Sequence, residues 1–287
     1  MGSAIASHLI DAGHAVVGFD VRASRGRALL GAEAPGAKAA RHAGVIAAAT
    51  CREVGQQASI VITSLPSADA LMLTVAELGK GPGRPRIVIE TSTLPIEVKE
   101  RARSRLDARG VVLLDCPISG TGAQARARDI VVYASGSRAA YRRVAPVLSL
   151  MARAHYFVGP FGAGSRMKFV ANLLVAIHNV AAAEALVLGM KAGLDGEQVL
   201  RLVGEGAGNS RILQLRGPMM VKGRYRPPTM TLANFEKDLA IIAAFARKVG
   251  ARTPLFSAAA PIYAAATREN PSLDTAAVFA VLEKMAE

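Results

Sequence analysis

The chain of 287 residues has no tryptophan, and aromatic residues make up only 5% of it. A hydrophobic share of 51% still promises a sizeable core, so that core must be built from Ala, Val, Leu and Ile. There are two cysteines, Cys51 and Cys116, far apart in sequence. That spacing excludes a disulfide framework and a cysteine metal cluster, and suits a reduced, cytoplasmic setting. The five histidines (His8, His14, His42, His155 and His178) fall in no ligand-spaced motif, so no metal is expected. His178 reads as a core histidine. The N-terminus has no basic segment ahead of an apolar run, so no signal peptide is expected.

Acidic residues are in deficit. Lys and Arg total 35 against 22 Asp and Glu, a net charge of +13. Nucleic acid, an acidic membrane or small anions are the candidate partners for such a chain. The bases are scattered, however. Clusters such as Arg101, Arg103 and Arg105, or Arg126 and Arg128, have no interleaved aromatics. A solvated basic surface is expected, with no specific nucleic-acid site. The apolar run over 170–190 is long enough to cross a membrane, but Asn172, His178, Asn179 and Glu184 interrupt it. It reads as a core helix, with no membrane contact.

Up to about residue 162, short apolar runs alternate with helical patterns. Strands are expected at His14–Phe19, Ile60–Thr63, Ile87–Ile89, Val111–Asp115, Ile130–Tyr133 and His155–Val158. A helix is expected from Pro95 to Ala108, with proline suited to the first turn. This alternation predicts a mostly parallel α/β sheet with helices on both faces. Ligands in such sheets bind at the carboxyl ends of strands. Asp20, Leu65 with Pro66, Thr93, and the segment Asp115–Ser119 all fall at such ends. After Gly164 no strand is evident. Helices are expected over 167–192, 196–203, 232–249, 255–267 and 275–285. The predicted domains are therefore 1–162, α/β, and 163–287, all-helical.

One feature breaks the apolar pattern of the long helix after Gly164. Lys168 and Asn172 are four residues apart and so share a face. A desolvated ammonium is costly without a task or partner. The pair suggests a catalytic lysine with an amide beside it.

Four motifs in order now give the chain a resemblance to the β-hydroxyacid dehydrogenase family, which includes 3-hydroxyisobutyrate dehydrogenases and, as larger relatives, 6-phosphogluconate dehydrogenases. Met1-Gly2 before an alanine-rich helix resembles the end of the family's Gly-x-Gly-x-Met-Gly nucleotide loop. Asp115-Cys-Pro-Ile-Ser119-Gly120-Thr121-Gly122 is similar to its substrate loop. Gly162 to Asn172 resembles the catalytic Gly-x-Gly-x-x-x-Lys-x-x-Asn-Asn, with Ala171 at the first Asn. Lys237-Asp238-Leu239 matches its Lys-Asp-Leu segment.

The resemblance implies a Rossmann-like, doubly wound sheet followed by an all-α C-terminal domain for substrate and dimerisation. The family's first strand and first two loop glycines have no counterpart here. The expected sheet thus lacks its first strand, through a start placed late or a shortened form. The implied activity is hydride transfer between NAD(P) and a small anionic β-hydroxy acid, in a cytoplasmic homodimer or higher homo-oligomer. Lys168 and Asn172 would be catalytic, Lys168 as the general acid/base, because burial beside an oriented amide can move a lysine's pKa toward neutrality. Gly2, Asp20, Leu65, Pro66, Thr93 and Lys237 would bind cofactor. Ser119, Gly120 and Thr121 would bind the substrate carboxylate, Thr121 replacing a usual glycine and adding a hydroxyl. Gly2 would let the first helix pack close to the sheet. Asp20 would accept the ribose hydroxyls and favour NAD, while Arg22 and Arg25 would favour NADP. Two alternatives stand beside this reading: an NADPH-dependent reductase of a small semialdehyde acid, and a non-catalytic scaffold that keeps the fold.

Overall fold

A computed structural model describes residues 1–22, 45–80 and 85–287. The chain forms two compact units, Met1–Lys168 and Phe169–Glu287.

In the first unit, helix α1 (Gly2–Asp11) precedes a parallel pair, β1 (Val16–Gly18) and β2 (Val45–Ala47). There follow α2 (Cys51–Gln57), β3 (Ile60–Thr63), α3 (Ala68–Leu78), β4 (Ile87–Glu90), α4 (Ile96–Asp107) and β5 (Val112–Asp115). The unit continues through β6 (Ile118–Ser119), α5 (Gly122–Arg126), β7 (Val131–Ser135), α6 (Arg138–Met151) and β8 (Ala154–Gly159). Strands β3, β4 and β5 are parallel neighbours in that order, with Thr63, Glu90 and Asp115 in register. β7 runs antiparallel to β5 and β6, and β8 pairs parallel with β7. The single sheet expected from the alternation is thus divided. Among the described residues no ladder joins β1 and β2 to β3.

The strands alternate their side chains between two apolar layers, as a pleated strand must. Ile87, Ile89 and Leu114 pack with Ala4 and Ile5 of α1 and with Val144, Leu148 and Met151 of α6. Val88 and Leu113 face the other way, toward Leu71, Val75, Leu78, Val98, Ala102 and Leu106 of α3 and α4. Side-chain oxygens start the helices: Thr50 for α2, Ser67 for α3, Thr121 for α5 and Ser137 for α6. Pro95 sits just before α4, as its N-cap residue rather than in its first turn.

The long helix α7 spans Ala163–Lys191, and the division between the units falls within it. The second unit adds α8 (Gly196–Glu205), α9 (Arg211–Val221), α10 (Leu232–Lys248), α11 (Pro254–Glu269), a 3-10 turn (Thr275–Ala277) and α12 (Val278–Met285). Its described residues hold only helices and one isolated bridge, Thr231 to Asp274. On α10, Leu232, Phe235, Leu239, Ile242 and Ala246 recur every three or four residues and are all buried. Phe245 meets Phe169, and Phe235 meets Tyr263, at ring-centroid distances of 5.2 and 5.3 Å.

Helix α9 was not among the expected helices, and it contains Gly217 and Pro218. Gly217 is there for space: a Cβ would collide with Leu200 of α8. Helix α7 is long and apolar enough to cross a membrane. Its buried Asn179 donates to Tyr263 Oη and to the Thr275 carbonyl, both at 2.9 Å, which ties it to the other helices of the second unit. His178 is only half-buried, and Asn179 next to it takes the core position.

Candidate active site

The carboxyl ends of β3, β4 and β5 lie side by side, so the loops that follow them share one edge of the sheet. A buried polar lattice fixes these loops. Ser92 N–H donates to Glu90 Oε1 at 2.8 Å, and Thr63 Oγ1 donates to Glu90 Oε2 at 3.3 Å. Thr91 Oγ1 donates to the Thr63 carbonyl at 2.6 Å, and Leu65 N–H donates to Ser92 Oγ at 2.7 Å. The loop bearing Leu65 and Pro66 is thereby pinned to the loop bearing Thr93. Leu65 and Thr93 are half-buried and Pro66 is exposed.

After β5 the chain turns into Ser119, Gly120 and Thr121, all half-buried. Gly120 has φ 137°, and a Cβ there would press within 2.7 Å of Ile130 Cγ2, so only glycine fits. Thr121 caps α5 in a full capping box with Gln124. Its hydroxyl accepts from Gln124 N–H at 3.3 Å, and its own N–H donates to Gln124 Oε1 at 3.0 Å. The hydroxyl expected for a substrate therefore has a structural duty as acceptor and keeps its proton to donate.

Asp115, at the tip of β5, is held by protein partners. It is fully buried and paired with Lys99 of α4, Nζ to Oδ1 at 2.9 Å, with the lysine also buried. Burial would lower the Lys99 pKa, but the Asp115 and Glu90 carboxylates outweigh it and hold the ammonium above its ordinary value. Asp115 Oδ1 also accepts from Ser165 Oγ at 2.8 Å, and Oδ2 from Ser165 N–H at 2.8 Å and Ser135 Oγ at 3.1 Å. Three residues after Ser165 on α7 comes Lys168, of which 7% is exposed.

In the second unit Asn172 is 4% exposed, and its Nδ2 donates to Asp238 Oδ2 at 2.9 Å. Lys237 Nζ lies 3.3 Å from Asp238 Oδ1, with 37% of its side chain exposed. A carboxylate paired with a cation only accepts, so the amide of Asn172 is fixed with nitrogen toward Asp238. Its oxygen is left to accept from another donor.

At the N-terminus, Gly2 is exposed and a Cβ on it would meet nothing within 4 Å. Close packing of α1 on the sheet therefore does not require this glycine, contrary to the sequence expectation. Among the described residues no side chain caps helix α1, and its first turn holds no acid. Asp20, half-buried two residues past β1, accepts from Arg22 N–H at 2.8 Å. Arg25 and His42 lie outside the described residues. A cavity of about 580 Å³ lined by Arg128, Asp129, Ser149, Arg153 and His155 contains none of these predicted groups, so it does not place the chemistry.

Sequence reasoning missed Lys99, Glu90, Ser135, Ser165 and Asp238. Lys99 carried a signal: it stands with Ala102 and Leu106 on the apolar stripe of α4. Ser135 and Ser165 carried none, because small polar residues at element ends are common.

Residues 1–159 match the family profile described as the NAD binding domain of 6-phosphogluconate dehydrogenase. Residues 162–282 match the one described as NAD-binding of NADP-dependent 3-hydroxyisobutyrate dehydrogenase. The chain is 32% identical over 246 residues to the L-threonate dehydrogenase of Cupriavidus necator, spanning 83% of this chain and 82% of that one. It is 31% identical over 297 residues to the 3-hydroxyisobutyrate dehydrogenase of Pseudomonas aeruginosa, spanning 97% and 94%. The crystal structure of 3-hydroxyisobutyrate dehydrogenase from Salmonella typhimurium superposes with a TM-score of 0.83 at 28% identity, covering 98% of this chain and 95% of that one.

Proposed function

The chain belongs to the β-hydroxyacid dehydrogenase family and is an NAD(P)-dependent hydroxyacid dehydrogenase, and from that premise we propose that Lys168 is the general acid/base in the NAD(P)-dependent oxidation of a small β-hydroxy acid. The observation that carries the proposal is the burial of Lys168 one helical turn before Asn172, whose amide is oriented by Asp238.

The residues present fit a dinucleotide. The start of α1, with no acid in its first turn, can receive a pyrophosphate, and the Asp20 carboxylate can accept ribose hydroxyls. Leu65, Pro66 and Thr93 follow adjacent parallel strands, where such a ligand lies. Gly2 and Lys237 complete the proposed cofactor set. Bound NAD(P) supplies the hydride acceptor, with NAD favoured over NADP by Asp20.

Lys168, as the neutral amine, takes the hydroxyl proton while the carbinol carbon loses its hydride; in the reverse direction the ammonium returns that proton. The oxygen of Asn172 accepts from the lysine or from the substrate hydroxyl and holds it in line. Ser119, Gly120 and Thr121 receive the substrate carboxylate. L-Threonate and 3-hydroxyisobutyrate, named for relatives of this chain, are the substrates to try first. Residues 1–162 serve as the nucleotide-binding domain and 163–287 as the substrate and dimerisation domain of a cytoplasmic homo-oligomer.

The test is a screen of both acids with NAD and NADP, on wild type and Lys168→Ala. Turnover by wild type, lost in the variant while cofactor still binds, supports the reading. Equal turnover by both proteins removes Lys168 from the chemistry.

A further inference from the structure

The first turn of α7 is held by side chains that do not belong to it. The first N–H groups of a helix have no partner within the helix, and a local N-cap oxygen ordinarily takes one of them. Here Gly162 precedes the helix with φ 87° and no side chain. Ala163 N–H donates to the Pro160 carbonyl at 3.0 Å. Gly164 N–H donates to Ser135 Oγ at 2.9 Å, from the end of β7. Ser165 N–H donates to Asp115 Oδ2 at 2.8 Å, from the end of β5. The backbone itself is pressed against those strands, since a Cβ on Gly164 would collide with the carbonyls of Tyr133 and Asp115.

This cap is chemically demanding. Asp115 accepts from Lys99, Ser135 and both donors of Ser165, and every one of these side chains is buried. A buried ion pair is weak evidence for stability, because apolar residues of similar volume often do as well. An apolar pair, however, cannot bind a backbone N–H. What the pair adds is a fixed acceptor aimed at one point on α7. Lys168 lies three residues beyond Ser165 and four beyond Gly164, on the same helix face. The rotation and height of the first turn therefore set where the lysine side chain starts.

We propose that Asp115, with Ser135 and Ser165, is a positioning group that locks the first turn of α7 and thereby places Lys168 for proton transfer. The proposal rests on the lysine reading given above. Lys99 serves it by fixing the Asp115 carboxylate in place, Nζ to Oδ1 at 2.9 Å.

The test uses the full chain with Ser135→Ala, Ser165→Ala, Lys99→Met/Asp115→Leu and, as reference, Lys168→Met. L-Threonate and 3-hydroxyisobutyrate are the substrate probes. The expected result is a kcat lowered by about tenfold to about 10²-fold in the serine variants and the double variant, with KM within about twofold, as misplacement of a reacting group produces. A second readout needs no turnover: competitive labelling of Lys168 by acetic anhydride across pH, read by mass spectrometry. Its midpoint is expected to move in the same variants. If the double variant does not fold, the serine variants, which each remove one hydroxyl, decide. Wild-type kcat and an unmoved labelling midpoint in both serine variants, with Lys168→Met inactive, overturn the positioning proposal alone. Turnover retained by Lys168→Met overturns the lysine reading instead, and the labelling midpoint still decides whether the lattice sets that lysine's environment.

Discussion

Asn172 and Asp238 form a buried amide–carboxylate hydrogen bond of 2.9 Å, 66 residues apart in sequence. The carboxylate dictates which way the amide points, and Lys237 contacts the same carboxylate. Asp238→Ala removes both restraints and leaves a buried amide donor unmet. The expected cost is about 1–3 kcal/mol of stability, the usual range for such a group, together with a lower kcat. Urea unfolding and steady-state kinetics measure the two effects. A variant with wild-type stability and turnover would show that Asp238 does not orient Asn172.

Lys168→Ala is expected to lower kcat by about 10²–10⁴, the span typical of general acid–base groups, with cofactor affinity nearly intact. Affinity is read by titration of NADH fluorescence. Loss of cofactor binding in parallel with turnover would place the lysine in binding rather than in proton transfer.

Much of this architecture was legible because it rests on local patterns. The runs Ile60–Thr63, Ile87–Glu90 and Val112–Asp115 are strands, since short apolar runs between helical patterns have few other uses. Lys168 and Asn172 stood out because polar residues in an apolar helix are costly. What escaped was set by tertiary contact. Helix α9 was not expected, and its Gly217 leaves room for Leu200. Asp115 was expected near a ligand, but its partner Lys99 lies 16 residues earlier on another element. No periodicity reports that pairing.

Asp20→Ser is expected to shift cofactor preference toward NADP. The carboxylate that would repel a 2′-phosphate is removed, while Arg22 remains beside it. The ratio of kcat/KM for the two cofactors, in wild type and variant, is the measurement. An unchanged ratio means that the end of β1 does not meet the ribose.

Gly120→Ala is expected to destabilise the first unit by about 1–3 kcal/mol, the cost of forcing an L side chain into such a backbone region. The added Cβ also crowds Ile130. Thermal melting gives the loss. A Gly120→Ala protein that melts with wild type would mean that this turn relaxes freely, and the loop could not then hold a carboxylate in a fixed place.

Acid should weaken the second unit through Asp274. Its carboxylate is buried, which alone would raise its pKa. The Ala276 N–H, the Arg216 guanidinium at 3.3 Å, and the hydroxyl and N–H of Thr229 outweigh burial and hold it below its ordinary value. In the unfolded chain the same group titrates near about 3.9. As pH falls through that value the unfolded chain takes up the proton first, so stability declines with falling pH. The contribution is fully present at neutral pH and drains away below about pH 5. Arg216→Met/Asp274→Asn removes the titrating group without stranding a buried cation. Its urea midpoint should fall less steeply between about pH 5 and about pH 3 than that of wild type. Identical slopes for the two proteins would show that Asp274 is equally acidic folded and unfolded, and that the bonds drawn to it do not stabilise its charge.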